Sequence, residues 1–290
     1  LLTALPIIID NIESKDDINN INLAQIAGPY MYCSYSSNEF RHKIKNSIHN
    51  LIRKFNIGIP LSNLESENLF NKETIYPKYK DKYCMFVIHE NFASNHAIFR
   101  CYSKLINILS SKYYTIGISS FSNKIDEKAK LIFDEHYSLI GDSLNEKLMH
   151  LSNLSKEYLP RLVYYPSIGM DPLLIVTSSY RLGYKQIYTY GHPAPAFSPV
   201  LDAAIYESES NVQKDLDPYV KYIKFDGYSL MSLLDSSLKI SPSWKISSSN
   251  KYKQNDKKIN IAISASPAKL TSKFIDMINT ISYKTDHNIE

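Results

Sequence analysis

The sequence predicts an α/β protein built on a doubly wound parallel sheet. From Cys84 to Tyr190, short apolar runs alternate with segments whose apolar residues recur every three to four positions. Strands linked by such segments need right-handed crossovers, which place helices over a parallel sheet. Three of the runs also end in turn-forming stretches rich in chemical groups: "HENFASNH", "PSIGMD" and "GHPAPAFS". In open parallel sheets ligands gather outside the carboxyl ends of the strands, so these three stretches are predicted to share one rim.

The elements follow in order. Phe40, Ile44, Ile48, Leu51, Ile52 and Phe55 have helical spacing, with Ser36 and Glu39 as a capping-box start, so residues 1–62 read as a helical segment. "AGPYMYCSYSS" is its aromatic, turn-rich connection, and the polar stretch 63–82 reads as a linker. The first Rossmann-like domain covers 83–240. Its strands are "CMFVI" (84–88), "YYTIGI" (113–118), "HYSLI" (136–140), "RLVYYPS" (161–167) and "KQIYTY" (185–190). Ile98, Cys101, Leu105, Ile108 and Leu109 share one helix face, and Leu144, Leu148 and Leu151 another. Asp171 followed by Pro172 is a helix start. After residue 205 the sequence reads as irregular. Residues 241–257 form a second polar linker, and "INIAIS" (259–264) with the helix after it opens a second α/β domain at 258–290.

Composition bounds the class. With 290 residues, 44% of them hydrophobic and 12% aromatic, the chain has enough apolar material for one large or two ordinary cores. The net charge of +4 is spread over scattered lysines and gives no nucleic-acid stripe. No apolar run approaches the roughly 18 residues of a membrane span, and "LLTALPIII" lacks a basic leader and a cleavage site. Cys33, Cys84 and Cys101 are odd in number and read as free thiols of a reducing compartment, so the expected location is the cytoplasm. The start at Leu1 and the patterned end suggest an excerpt of a longer protein.

The rim residues carry the chemistry. His89, Glu90, Asn91 and Ser94 follow the first strand. His96 stands at a helix start, where the positive end of the helix favours a neutral ring, and Arg100 lies one turn on. Ser167 and Gly169 form a turn whose N–H groups face the rim, and Gly191 with Pro193 holds His192 in one direction. The plainer readings are that the histidines satisfy backbone groups and that the turns are ordinary connections. The histidine spacing matches no strong zinc pattern, so no metal site is expected.

"VIHENFASNHAIFRCYSKL" and "YYPSIGMDPLLIVTSSYRLGYKQIYTYGHPAPAFSPVLDAAI", with "YMYCSYSS" before them, resemble the HMW1C-like protein N-glycosyltransferases, relatives of O-GlcNAc transferase. The resemblance implies a GT-B fold: a helical segment, a first Rossmann-like domain on the acceptor side, and the start of a second that holds the nucleotide-sugar. It implies an inverting, metal-independent transfer of a hexose from UDP-glucose or another UDP-sugar to asparagine. The acceptors would be Asn-X-Ser/Thr sequons of adhesin-type proteins, with no cofactor, and the fragment alone is expected to be inactive. On this basis His96, His192 and Glu90 are the catalytic candidates. His89, Asn91, Ser94, Arg100, Ser167, Gly169, Gly191 and Phe197 are the substrate-binding ones. Family members carry histidines where this chain has Asn91 and Phe197. That departure keeps two alternatives in view, a GT-B enzyme with a Ser/Thr or glycan acceptor and an inactive partner-binding module.

Overall fold

The computed structural model describes residues 3–14, 23–36, 40–71, 76–191, 195–207, 217–225 and 270–285. The chain divides into two compact units, Leu1–Ser34 with Phe40–Leu234, and Tyr35–Glu39 with Asp235–Glu290. Helical segment and sheet therefore belong to one unit. In the second, the described helix Ser272–Thr285 matches the helix expected after "INIAIS". That strand and the 241–257 linker lie outside the described residues.

The first unit begins with helices α1 (Ala4–Asp10), α2 (Leu23–Tyr32), α3 (Lys43–Lys54) and α4 (Ile59–Ser66). The α3 start differs from the expected capping box, because the helix begins at Lys43 behind His42, and Glu39 lies outside the described residues. Helix α4 runs into the stretch read as linker, with Glu65 as its fastener. That carboxylate meets both terminal nitrogens of Arg53 at 3.2 Å and accepts the Arg181 N–H at 2.8 Å, so a polar sequence is tied down by charge.

Among the described residues, eight strands form one sheet: β1 (Lys78–Tyr79), β2 (Lys82–His89), β3 (Tyr113–Ser119), β4 (Glu135–Ser138), β5 (Leu162–Tyr165), β6 (Lys185–Thr189), β7 (Ala203–Glu207) and β8 (Lys221–Phe225). The order is β4-β3-β2-β5-β6-β7-β8, all parallel, with β1 antiparallel on β2. Strands β7 and β8 correct the irregular reading after residue 205. A parallel strand covered on both faces shows no polar alternation, and "AAIYE" has none. The sheet separates two cores. Cys84, Phe86 and Ile88 of β2 face the core shared with α2, α3 and α4. Met85 and Val87 face the other, against α5 (Ala97–Ser110).

Chain order reverses between β2 and β5. After β2 the chain builds outward through β3 and β4, then returns to add β5 on the other side. This is the switch point at which such sheets open a crevice. The remaining helices are α6 (Glu127–Lys130), α7 (Leu144–Tyr158) and α8 (Pro172–Thr177). Helix α8 starts as expected, with Asp171 Oδ1 accepting the Leu173 N–H at 2.9 Å. It ends early because the hydroxyls of Ser178 and Ser179 bond back to the Ile175 carbonyl at 3.0 and 2.9 Å. No described helix is long and apolar enough to cross a membrane.

Candidate functional site

The switch-point crevice is filled by the protein's own carboxylate. Glu90 follows β2 and is 1% exposed. Its Oε1 accepts the backbone N–H groups of Gly169 (2.7 Å), Met170 (2.6 Å) and Asp171 (3.0 Å), and its Oε2 accepts the Ser167 hydroxyl at 2.7 Å. Gly169 makes the cradle possible with φ at 144°, in the left-handed range. Successive N–H groups at a turn before a helix make a nest that attracts anions. Burial pushes the Glu90 carboxyl upward in pKa while the four donors pull it down. The net shift is upward, while three peptide N–H groups that can only donate favour the ionised form. Glu90 was expected as a catalytic base, but with both oxygens occupied and no exposure it holds the turn instead. Ser167, expected at the substrate, is fully buried and spends its hydroxyl on Glu90.

His89 is likewise internal. It stacks on Phe133, with centroids 5.9 Å apart, and its Nε2 lies 3.1 Å from Nε2 of His136. Two imidazole nitrogens at that distance share one proton, so both rings cannot be charged. Burial and the neighbouring His136 hold His89 well below the usual histidine range, and burial pulls His136 down to about 4. Ser94, expected to face substrate, gives both its hydroxyl and its N–H to Asp126 Oδ2 at 2.7 and 2.8 Å. Asp126 also caps α6 through the Ala129 N–H, so the pair fixes the loop after β2 to the loop after β3.

His96 remains at the half-buried rim as the N-cap of α5, its Nδ1 accepting the Ile98 N–H at 3.3 Å. That bond assigns the neutral ring's proton to Nε2. Burial lowers the His96 pKa, and a hydrogen bond between the ring and the Asn91 backbone opposes the shift. The resting ring therefore carries its proton at Nε2, and with Nδ1 taken it is this N–H that bonds the Asn91 backbone. Asn91 is half-buried and Arg100 is exposed.

The third stretch joins the first two at Gly191. Its N–H donates to the Pro166 carbonyl at 3.1 Å. A Cβ there would lie 2.4 Å from that carbonyl oxygen and 2.8 Å from both Ile98 and Ser167. Only glycine lets the end of β6 lie this close to the loop after β5 and the start of α5. The predicted common rim is thus formed by adjacent strands β2, β5 and β6. His192 lies outside the described residues.

Phe197 departs from its expected role. Its ring is 9% exposed and stacks on His42, with centroids 5.5 Å apart, so it packs rather than lines a cleft. Its φ of 58° is left-handed, a conformation that disfavours a bulky side chain by about 1–2 kcal/mol. Surrounding bonds impose it. The Phe197 N–H reaches Asp217 Oδ2 at 2.9 Å, and the Ser198 hydroxyl donates to the Ser178 carbonyl.

The groups on the other side of this turn come from α2 and α3 and were not singled out from the sequence. Lys45 Nζ donates to the Pro195 carbonyl at 2.9 Å and lies 5.0 Å from the Tyr30 ring centroid. The Tyr30 hydroxyl donates to the Ala196 carbonyl at 2.7 Å, and His49 Nε2 meets the same oxygen at 3.0 Å. Bonding closes if the Ser179 hydroxyl turns its one proton from the Ile175 carbonyl to His49 Nδ1, 2.7 Å away, and Nε2–H donates to Ala196. Burial pulls His49 down to about 3 and Lys45 down to about 8. A signal existed in the sequence: His42, Lys45 and His49 repeat at helical spacing on the same helix as the apolar Ile44, Ile48 and Ile52.

Comparison with known proteins agrees with this architecture. Residues 1–55 match the family described as HMW1 domain 2. The chain is 28% identical over 275 residues to the UDP-glucose:protein N-beta-glucosyltransferase of Actinobacillus pleuropneumoniae serotype 5b (strain L20). The match covers 93% of this chain and 41% of the relative. The protein of the same description from serotype 7 (strain AP76) gives the same identity and coverage. The chain therefore spans about two fifths of the length of these relatives. Among solved structures, a mutant of the Thermobaculum terrenum O-GlcNAc transferase aligns with a TM-score of 0.61 at 8% identity, over 94% of this chain and 49% of that one. At that identity the likeness is one of fold. The strand order, the helical segment packed on it and these matches make the chain similar in sequence to part of these glucosyltransferases and similar in fold to the O-GlcNAc transferase.

Proposed function

We propose that this chain supplies the acceptor-side half of an inverting, metal-independent transferase. The enzyme would move a hexose from a UDP-sugar to asparagine in Asn-X-Ser/Thr sequons of protein acceptors. The observation that carries the reading is the occupied nest. The anion-binding turn at the β2/β5 switch point already holds the Glu90 carboxylate, so a donor pyrophosphate finds its place elsewhere. What this half leaves open is the rim of Asn91, His96 and Arg100, facing outward from the strand ends.

In the reaction the side-chain nitrogen of asparagine forms a bond to the anomeric carbon as the bond to the UDP oxygen breaks. Negative charge grows on the departing phosphate, and the proton on the attacking nitrogen must leave. Donors preplaced at the phosphate contribute most to such a step. At the rim, the Nε2–H of His96 would exchange the Asn91 backbone for a carbonyl acceptor such as the asparagine side chain, orienting the amide rather than deprotonating it. His192 stays a candidate through the Gly-His-Pro resemblance. Asn91 and Phe197, in place of family histidines, support the second reading, another acceptor or an inactive partner-binding module.

The test incubates the natural full-length protein with UDP-glucose, UDP-galactose or UDP-GlcNAc and an Asn-X-Thr peptide, and records peptide mass. Gain of one hexose with one of the donors is expected. A folded protein that transfers none would refute the proposal, and transfer to a serine peptide or a glycan instead would establish the alternative acceptor.

A further inference from the structure

Three buried polar groups of α2 and α3 have no part in the chemistry described so far, yet they converge on one turn. Tyr30, Lys45 and His49 are each fully buried. Together they occupy the carbonyls of Pro195 and Ala196 through three bonds of 2.7 to 3.0 Å. The Ala196 N–H meets the Tyr188 hydroxyl at 3.3 Å, and the Phe197 N–H meets Asp217 at 2.9 Å. Two consecutive carbonyls and two consecutive N–H groups are thus held from four separate elements.

Burying an ammonium group to satisfy one carbonyl is an expensive way to close a core, since an apolar side chain of similar volume serves as well or better. A fully bonded buried network does give a unique direction to the backbone it touches. Here that backbone includes Phe197 at a φ of 58°, a geometry that persists only where the surroundings over-determine it. Gly191, a few residues earlier in sequence, is fixed against Pro166 and Ser167 at the switch point. Only residues 192–194 separate the two anchors.

We propose that Lys45, His49 and Tyr30 are positioning residues. They fix the Pro195–Phe197 turn, which follows Gly191 of the strand-end rim by only a few residues in sequence, so that the helical segment sets how the rim engages its acceptor. This inference rests on the acceptor-side reading above. It gives the helical segment a function beyond covering one face of the sheet.

The test uses the full-length protein with Lys45→Met, which keeps the volume and removes the donor, and Tyr30→Phe, which keeps the ring. Hydrogen exchange of the peptide spanning 188–200 and steady-state transfer to the peptide acceptor are both measured. In Lys45→Met, exchange at 188–200 should rise with β2 and β5 unchanged. KM for the acceptor should rise about tenfold, with KM for the donor within about twofold. Tyr30→Phe should move the same quantities by less, and it stands in if Lys45→Met does not fold. Unchanged exchange at 188–200 in a folded variant overturns the proposal, as does an equal loss for donor and acceptor. If the wild-type protein transfers no sugar, the acceptor-side reading fails by itself. The exchange measurement still decides the positioning role, with local deprotection upholding it and unchanged protection overturning it.

Discussion

Replacing Glu90 with alanine would empty the anion nest at the switch point. Four donors lose their partner at once: the N–H groups of Gly169, Met170 and Asp171 and the hydroxyl of Ser167. A buried donor left unsatisfied costs about 1–3 kcal/mol, and water entering the vacated space recovers part of that. The net expectation is about 3–5 kcal/mol, a large share of the stability of an ordinary domain. Glu90→Gln keeps one acceptor oxygen but turns an amide NH₂ toward donors, so its cost should fall between wild type and alanine. Urea unfolding near neutral pH reads the difference. With a slope of about 2–3 kcal/mol per molar, the alanine variant should unfold about 1–2.5 M earlier. Inorganic phosphate should then restore stability to Glu90→Ala by occupying the nest, by about 2.7 kcal/mol at a hundred times its Kd. The wild type, whose nest is already occupied, should not respond. An alanine variant within about 0.5 kcal/mol of wild type, or equal phosphate stabilisation of both proteins, would refute the assignment of Glu90 as an internal anion.

Three further predictions follow from single sites. Gly191→Ala places a methyl 2.4 Å from the Pro166 carbonyl oxygen and should destabilise by about 1–3 kcal/mol, measured by thermal or urea unfolding. His96→Ala removes the cap of α5 at a cost of about 1 kcal/mol, and in the full-length enzyme it should lower turnover far more than donor affinity. Equal, small effects on both would confine His96 to a capping role. His49 ionises at about 3 in the folded protein against 6.5 ordinarily, so between those values the unfolded chain binds the extra proton. Stability is therefore lost as pH falls below about 6.5, by up to about 1.4 kcal/mol per pH unit from this group. His49→Gln should flatten that slope in urea unfolding.

The sheet was legible because its strands are bounded by turn residues and its helices carry a 3.6-residue period. Cys84–Ile88 and Tyr113–Ile118 fall inside β2 and β3. Strands β7 and β8 were not legible, since short parallel strands leave no alternation and their pairing is decided by β6, far away in sequence. Within the site, the convergence of the three strand-end loops was legible from topology. The roles were less so. Glu90, Ser94 and Ser167 are the polar types expected at a substrate, yet each is matched by a donor or acceptor from a distant loop, and such matching is a property of the fold. Lys45 and His49 illustrate the converse. On a helix with apolar neighbours they were not singled out, and only the packed turn at Pro195 and Ala196 shows what they bind.

Transfer itself is the most direct measure of the account. The full-length protein, given UDP-glucose and two peptides that differ only in Asn or Gln at the sequon, should add one hexose to the asparagine peptide and none to the other. Modification of both peptides, or of neither by a folded protein, would contradict it.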